Sequence, residues 1–169
     1  MLEVTLRSEQ QNDIQAIFDL TARAFADVEH SSHTEQFIVN ALRAANALTI
    51  SLVAEYQHKI VGHVAISPIT ISSGALNWYG LGPISVAPEY QNQGVGSALM
   101  TQVLDQLKHM GAAGCVVLGD PQYYSKFGFK VISGLILADV PLEYFQAISF
   151  EGSFPQGEVK YHPAFEATQ

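Results

Sequence analysis

Gln91-Asn92-Gln93-Gly94-Val95-Gly96-Ser97 places two glycines among amide and hydroxyl side chains just ahead of an apolar periodic stretch. If that stretch is a helix, its first N–H groups lack partners within it and its dipole adds partial positive charge. Glycines would then let a phosphate approach the backbone closely. A plain tight turn could use the same residues. A nucleoside-triphosphate loop continues with Lys and then Ser or Thr, whereas Gly96 is followed by Ser97-Ala98. The dinucleotide fingerprint needs a third small residue at its own spacing and follows the first strand of a parallel unit. This loop instead follows several segments with antiparallel patterning.

Groups able to move a proton are dispersed: His63, Glu89, Asp120, His162 and the pair Tyr123-Tyr124. None is singled out as a base by its spacing. A strand histidine is more often structural, and Asp120, just before Pro121, suits a helix cap. Cys115 lies in the Val-rich run Cys115-Val116-Val117 and reads as an inert core thiol. The six histidines, His30 and His33 included, have no ligand spacing, so no metal site is expected.

The elements that must position these groups follow from periodicity. Leu2, Val4 and Leu6 alternate as in a strand over residues 2–7. Ser8 and Gln11 have capping-box spacing ahead of a helical stripe, Ile14, Ile17, Phe18, Thr21 and Phe25, which should fade near Asp27. Ser32 with Glu35 predicts a second helix to about Ala45, and the polar stretch Asp27–Ser31 is a plain connection or a loop bordering a substrate site. Ile50–Ala54 and Ile60–Ile71, turning at Gln57-His58, predict an antiparallel hairpin. Residues Leu76–Val86 are extended but interrupted by Gly80, Gly82 and Pro83, which implies a bulge or kink. Val95, Leu99, Val103, Leu107 and Met110 share one face of a long helix that returns the chain to a buried strand at Cys115–Leu118, giving a central β-α-β crossover. A short helix from Asp120-Pro121 to Phe127 follows, then extended residues Phe129–Ile132, a connection Gly134–Pro141, a strand Phe145–Phe150 and a possible last one at Glu158–Tyr161.

The 169 residues are 48% hydrophobic and 14% charged, as expected of one folded domain over residues 1–169. Eight Lys+Arg against sixteen Asp+Glu give a net charge of −8 with no basic patch, which disfavours nucleic acid as a partner. One cysteine allows no internal disulfide and fits a reducing cytoplasm. No signal-like start or run of about 18 apolar residues is present, so secretion and membrane insertion are not expected. Monomer and homodimer both remain open.

Pro83-Ile84-Ser85-Val86-Ala87-Pro88-Glu89-Tyr90, leading into Gln91-x-x-Gly94-x-Gly96, resembles the acetyl-coenzyme A motif of the GNAT superfamily of N-acetyltransferases. Tyr123-Tyr124-Ser125-Lys126-Phe127-Gly128-Phe129 is similar to the family's aromatic-Tyr-x-Lys-x-Gly-Phe segment. The order of elements from Leu2 to about Phe150 fits as well, and Leu118-Gly119-Asp120-Pro121 looks most like a bacterial branch of predicted acetyltransferases. The resemblance implies an α/β fold with a mixed, mostly antiparallel sheet whose kinked strand splays from the strand at Cys115. It implies acetyl-coenzyme A as acyl donor, with no metal. Its pantetheine arm would lie along Ile84, Ser85 and Val86, with Ile84 and Val86 against it. Its pyrophosphate would meet the loop Gln91, Asn92, Gln93, Gly94, Val95, Gly96 and Ser97.

Three departures bear on the chemistry. Gln91 stands where many members have arginine, so the loop carries no cation. Trp78 occupies the place, six residues before Ile84, where some members carry a glutamate base, and Val117 replaces a frequent asparagine. Acetyl transfer to an amine needs a neutral amine, a stabilised oxyanion and a proton for the departing thiolate. The matched segment implies that Tyr124 is that acid, since reference pKa values of about 10 for a phenol and about 8.5 for a thiol permit the transfer. Tyr123 is expected in the core, and the base is left open among His63, Asp120, Glu89, His162 and a water chain. The implied reaction is direct attack by a primary amine of a small molecule or protein, without an acyl-enzyme. The other reading is an acyl-coenzyme A binding or sensor module that has lost turnover.

Overall fold

The computed structural model describes residues 1–169, arranged as two sheets with helices on both faces of the larger one. Strands β1 (Thr5–Ser8), β2 (Ile50–Tyr56), β3 (Lys59–Pro68), β5 (Trp78–Val86), β6 (Gly114–Leu118) and β8 (Phe145–Ser149) form the six-stranded sheet in that spatial order. All its neighbours are antiparallel except β5 and β6. That parallel pair is joined by α3 (Val95–His109), the crossover expected from the sequence. Strands β4 (Thr70–Ile71), β9 (Gly157–Lys160) and β7 (Leu135–Leu137) form the second sheet.

Pleat alternation divides the core. Leu52, Val64 and Ile66 meet Leu99, Val103 and Leu107 of α3 on one face. On the other, Val53 packs on Ile17 of α1 (Ile14–Phe25) and Val39 of α2 (Glu35–Ala44). Strand β6 is apolar because both faces are covered as far as Val117, Leu118 being exposed: Cys115 and Val117 belong to the α3 side, while Val116 joins Trp78 and Phe145 against the second sheet. No helix is long and apolar enough to cross a membrane.

Several sequence expectations shift locally. Ser8 is paired with Leu52 in β1, so it does not cap the first helix; Gln10 and Asp13 close the box instead, through a 3-10 turn. Ser31 rather than Ser32 bonds Glu35, at 2.7 Å, and Thr34 occupies the cap position of α2. Strand β3 ends at Pro68, which has no N–H to continue the ladder, and Thr70–Ile71 crosses to the second sheet. The connection predicted over residues 134–141 contains β7, which pairs in parallel with β9. That pairing is with a partner remote in sequence, so local periodicity does not announce it. Of the extended residues 129–132, Lys130 alone makes a bridge, to Ala147.

Candidate active site

The site starts from an irregularity in β5. Val64 pairs with Ile84 and Ile66 with Leu81, so Gly82 and Pro83 together oppose Ala65 and the strand bulges where the sequence suggested. Below the bulge, Trp78–Leu81 pair with Gly114–Val117 of β6. Above it, Ile84, Ser85 and Val86 pair only with β3, while β6 continues beside β8. The two parallel strands therefore part at Gly82. Ile84 and Val86 are half-buried on the α3 side; Ser85 is buried on the reverse face.

Beyond β5 the backbone is braced by its own side chains. Gln91 donates to the Val86 carbonyl at 3.2 Å and Gln93 to that of Glu89 at 3.2 Å, while the Gln93 carbonyl accepts from the Leu2 N–H at 3.0 Å. Asn92 is exposed with a φ of 61°. Gly94 precedes α3 in a left-handed conformation, φ 88°, with no side-chain cap over the helix N-terminus. Val95 points into the core, whereas Ser97 lies exposed on the first turn. A Cβ on Gly96 would lie 2.9 Å from the Tyr123 hydroxyl and 3.8 Å from a Val86 methyl. Val86, Gly96 and Tyr123 thus converge, and the uncapped amides of α3 open beside them.

Tyr123 and Tyr124 lie on α4 (Pro121–Tyr124), where the Asp120 carboxylate accepts from the Gln122 N–H at 2.9 Å and Pro121 fills the first helical position. Tyr124 is 9% exposed and edge-on to Tyr123 and Phe129, with ring centroids 5.0 and 6.0 Å apart. Gly119 leaves space for its ring, since a Cβ there would come within 2.6 Å. Burial first, then Tyr123 and Asp120, push the Tyr124 phenol up to about 12, so it stays protonated at neutral pH. Tyr123, expected in the core, is half-buried with its hydroxyl turned to the glycine loop. Burial raises its phenol too, opposed by the nearby Ser97. Lys126 Nζ lies 5.5 Å from the Tyr123 ring centre and brings a cation to this side of the cleft.

The candidate bases separate clearly. Glu89 is held in an exposed ion pair with Arg23 at 2.6 Å, Asp120 caps α4, and His162 Nδ1 accepts from the Ala164 N–H at 3.0 Å. His63 is fully buried, and its Nε2 lies 2.8 Å from Ser51 Oγ, while its Nδ1 makes no hydrogen bond. Burial holds its ring neutral, with the pKa down at about 4. Ser51 also bonds the Glu9 carboxylate, which Arg43 grips at 2.7 and 2.8 Å. Burial alone would raise the Glu9 carboxyl, but the Arg43 and Ser51 bonds together hold it below its usual range. The sequence singled out none of Glu9, Arg43 and Ser51, which meet only through strand pairing and the packing of α2.

Trp78, at the position of the family's glutamate, is core and packs on Phe154. Cys115 is buried and its thiol is pushed far up by burial, which removes it as a nucleophile. No three His, Cys, Asp or Glu side chains are grouped to hold a metal ion.

Comparison with known proteins adds the family. A family model described as the acetyltransferase (GNAT) domain matches residues 5–132. The crystal structure of a GNAT family acetyltransferase from Brucella melitensis, in complex with acetyl-CoA, is 44% identical. It superposes with a TM-score of 0.87 over 97% of this chain and 99% of that one. The structure of Escherichia coli YhbS in complex with CoA superposes with a TM-score of 0.88, at 31% identity, over 100% of this chain and 95% of that one. In sequence, the uncharacterized N-acetyltransferase YhbS of Escherichia coli K12 is 36% identical over 127 residues, 75% of this chain and 73% of its own. The parted strands, the uncapped glycine turn and the tyrosine helix are thus framed by a match over most of the chain, which belongs to the GNAT family of acetyltransferases.

Proposed function

We propose that the protein binds acetyl-coenzyme A between β5 and β6 and transfers its acetyl group to a primary amine of a small molecule or protein by direct attack. The observation that carries this reading is the left-handed, uncapped Gly94 start of α3, set immediately after the strand that parts from its parallel neighbour. Gln93 to Ser97 offer amides and the helix dipole to the pyrophosphate, so the loop needs no arginine at Gln91. Ile84 and Val86 offer an apolar flank and strand edge to the pantetheine arm, and the bound acetyl-CoA and CoA of the Brucella and Escherichia relatives support this assignment.

Tyr124 supplies the proton to the departing thiolate. Burial keeps that proton on the phenol at neutral pH, so it is available to the sulfur as the C–S bond breaks. Direct attack agrees with Cys115, which is sealed in β6 and cannot carry the acyl group. The net charge of −8 favours a cationic acceptor by long-range attraction.

The test is release of free coenzyme A from acetyl-coenzyme A across a panel of primary amines. Protein without amine and amine without protein serve as controls. Release that requires both supports the reading; binding without release for every amine would leave a ligand-binding module.

A further inference from the structure

The Ser51 hydroxyl has one hydrogen and two neighbours, Glu9 Oε1 and His63 Nε2. The Glu9 carboxylate, ionised beside Arg43, can only accept, so Ser51 gives its hydrogen to Glu9 and accepts from His63. The neutral ring therefore carries its proton on Nε2 and presents a bare lone pair at Nδ1. That tautomer is imposed by the chain Arg43–Glu9–Ser51–His63, drawn in turn from α2, from the residue after β1, from β2 and from β3.

His63 stands at the seam with β5. Its partner there is Ser85, between Ile84 and Val86, and the Ser85 Oγ is also buried without a hydrogen bond. Val53, opposite His63 on β2, packs against α1 and α2, so this face of β5 is the reverse of the one turned to α3. Neither atom is reached by solvent, so the partner that suits two buried polar atoms on adjacent strands, one fixed as an acceptor, is an ordered water.

We propose that His63 Nδ1, paired in register with Ser85, takes the proton of the acceptor nitrogen through ordered water as that nitrogen attacks from the α1–α2 side. The inference rests on the reading that the protein acetylates amines. The C–N bond forms and the C–S bond breaks; the nitrogen's proton passes to His63, Tyr124 gives its proton to the sulfur, and solvent returns the histidine proton to the tyrosinate. The imidazolium is disfavoured by burial, helped by Glu9 through Ser51 and opposed by Arg43, so His63 holds the proton only in passing; Glu9 borders a surface depression it shares with Arg43 and Ser51. His63 is then a proton-accepting residue, and Ser51 and Glu9 are positioning residues.

The experiment compares the parent with His63→Gln, Ser51→Ala and Ser51→Thr. The acceptor is whichever of spermidine, phenylethylamine and a lysine peptide the parent turns over fastest. His63→Gln should lower kcat on the order of 10²-fold, the usual share of a proton-transfer group, with the acetyl-coenzyme A Kd unchanged. Ser51→Ala should fall between His63→Gln and the parent, and Ser51→Thr, which keeps the hydroxyl, should recover toward the parent. Nitrogen NMR of the parent's ring should show Nε2 protonated and Nδ1 bare at neutral pH, whether or not the variants fold. A protonated Nδ1, or a parental kcat in Ser51→Ala and His63→Gln, overturns the proposal while leaving acetyl transfer intact. A parent that binds acetyl-coenzyme A and acetylates none of the amines overturns the functional reading and this inference with it.

Discussion

On one face of β5, Ile84, Val86 and the turn from Gln91 to Ser97 belong to one continuous stretch and offer mainly backbone and small or apolar side chains. On the reverse face, Ser85 meets His63, which depends on Ser51, Glu9 and Arg43 from separate elements, all buried or half-buried and joined by side-chain hydrogen bonds. The first face can hold many anions that fit a helix start. The second presents a single lone pair in one direction. A backbone site tolerates substitution of its side chains but not of its glycines; a side-chain network tolerates neither loss nor rotation of its members.

The largest effect that would sharpen this contrast is expected at Tyr124, which belongs to the α3 side. Tyr124→Phe should reduce kcat about 10²- to 10⁴-fold, the range of a lost proton donor, while the Kd for acetyl-coenzyme A stays at the parent's value. Measuring both constants on one preparation checks it. A matched loss of binding and turnover would instead make the hydroxyl a cofactor contact.

Acid should probe the reverse face alone. Burial depresses the folded pKa of His63 to about 4, whereas an unfolded histidine titrates near 6.5, so between those values the unfolded state binds more protons. The contribution is complete above about pH 6.5 and is lost as pH falls toward 4, by up to about 3 kcal/mol. The carboxylates of Glu9 and Asp13, held below their ordinary range, lose stability in the same direction at lower pH. Denaturant unfolding from pH 7 to 4 should show the decline, and His63→Gln should flatten its upper part. An equal slope in both proteins would place the titration elsewhere.

Glycine substitution should damage the other face. Gly94→Val puts a β-branched residue at φ 88°, a strain of about 1–2 kcal/mol, and Gly96→Val drives a side chain toward the Tyr123 hydroxyl. Either should weaken acetyl-coenzyme A at least about tenfold, the equivalent of 1.4 kcal/mol, with the circular dichroism spectrum kept. Calorimetric titration decides; parental affinity in both would reduce the loop to a turn.

The two faces also differ in what the sequence discloses. Gly94, Gly96 and the interruption at Gly82-Pro83 are local signals, because a positive φ, a close approach and a bulge each demand a residue type at the place where they occur. The bulge was legible from such residues and the α3 crossover from helical periodicity, whereas the parting of β5 from β6 was implied by the family resemblance. Tyr123 packs half-buried against the core, but the placement of its hydroxyl beside Gly96 was not legible, because adjacent aromatics at a helix start look alike until the facing loop is known. Ser51 and Glu9 were illegible for a different reason: their partnership arises when β1 pairs with β2 and Arg43 arrives on α2. Strand β7 stayed hidden likewise, since Leu135–Leu137 becomes a strand only beside β9.

The central claim, that the Gly94 turn and the parted strands form an acetyl-coenzyme A site, is tested most directly by titrating the parent with acetyl-coenzyme A in a calorimeter and following thermal unfolding of the same samples. Saturable heat and a stabilisation of about 2.7 kcal/mol at a hundredfold excess over Kd are expected, with much less from adenosine triphosphate. No heat and no thermal shift at saturating acetyl-coenzyme A would contradict the account.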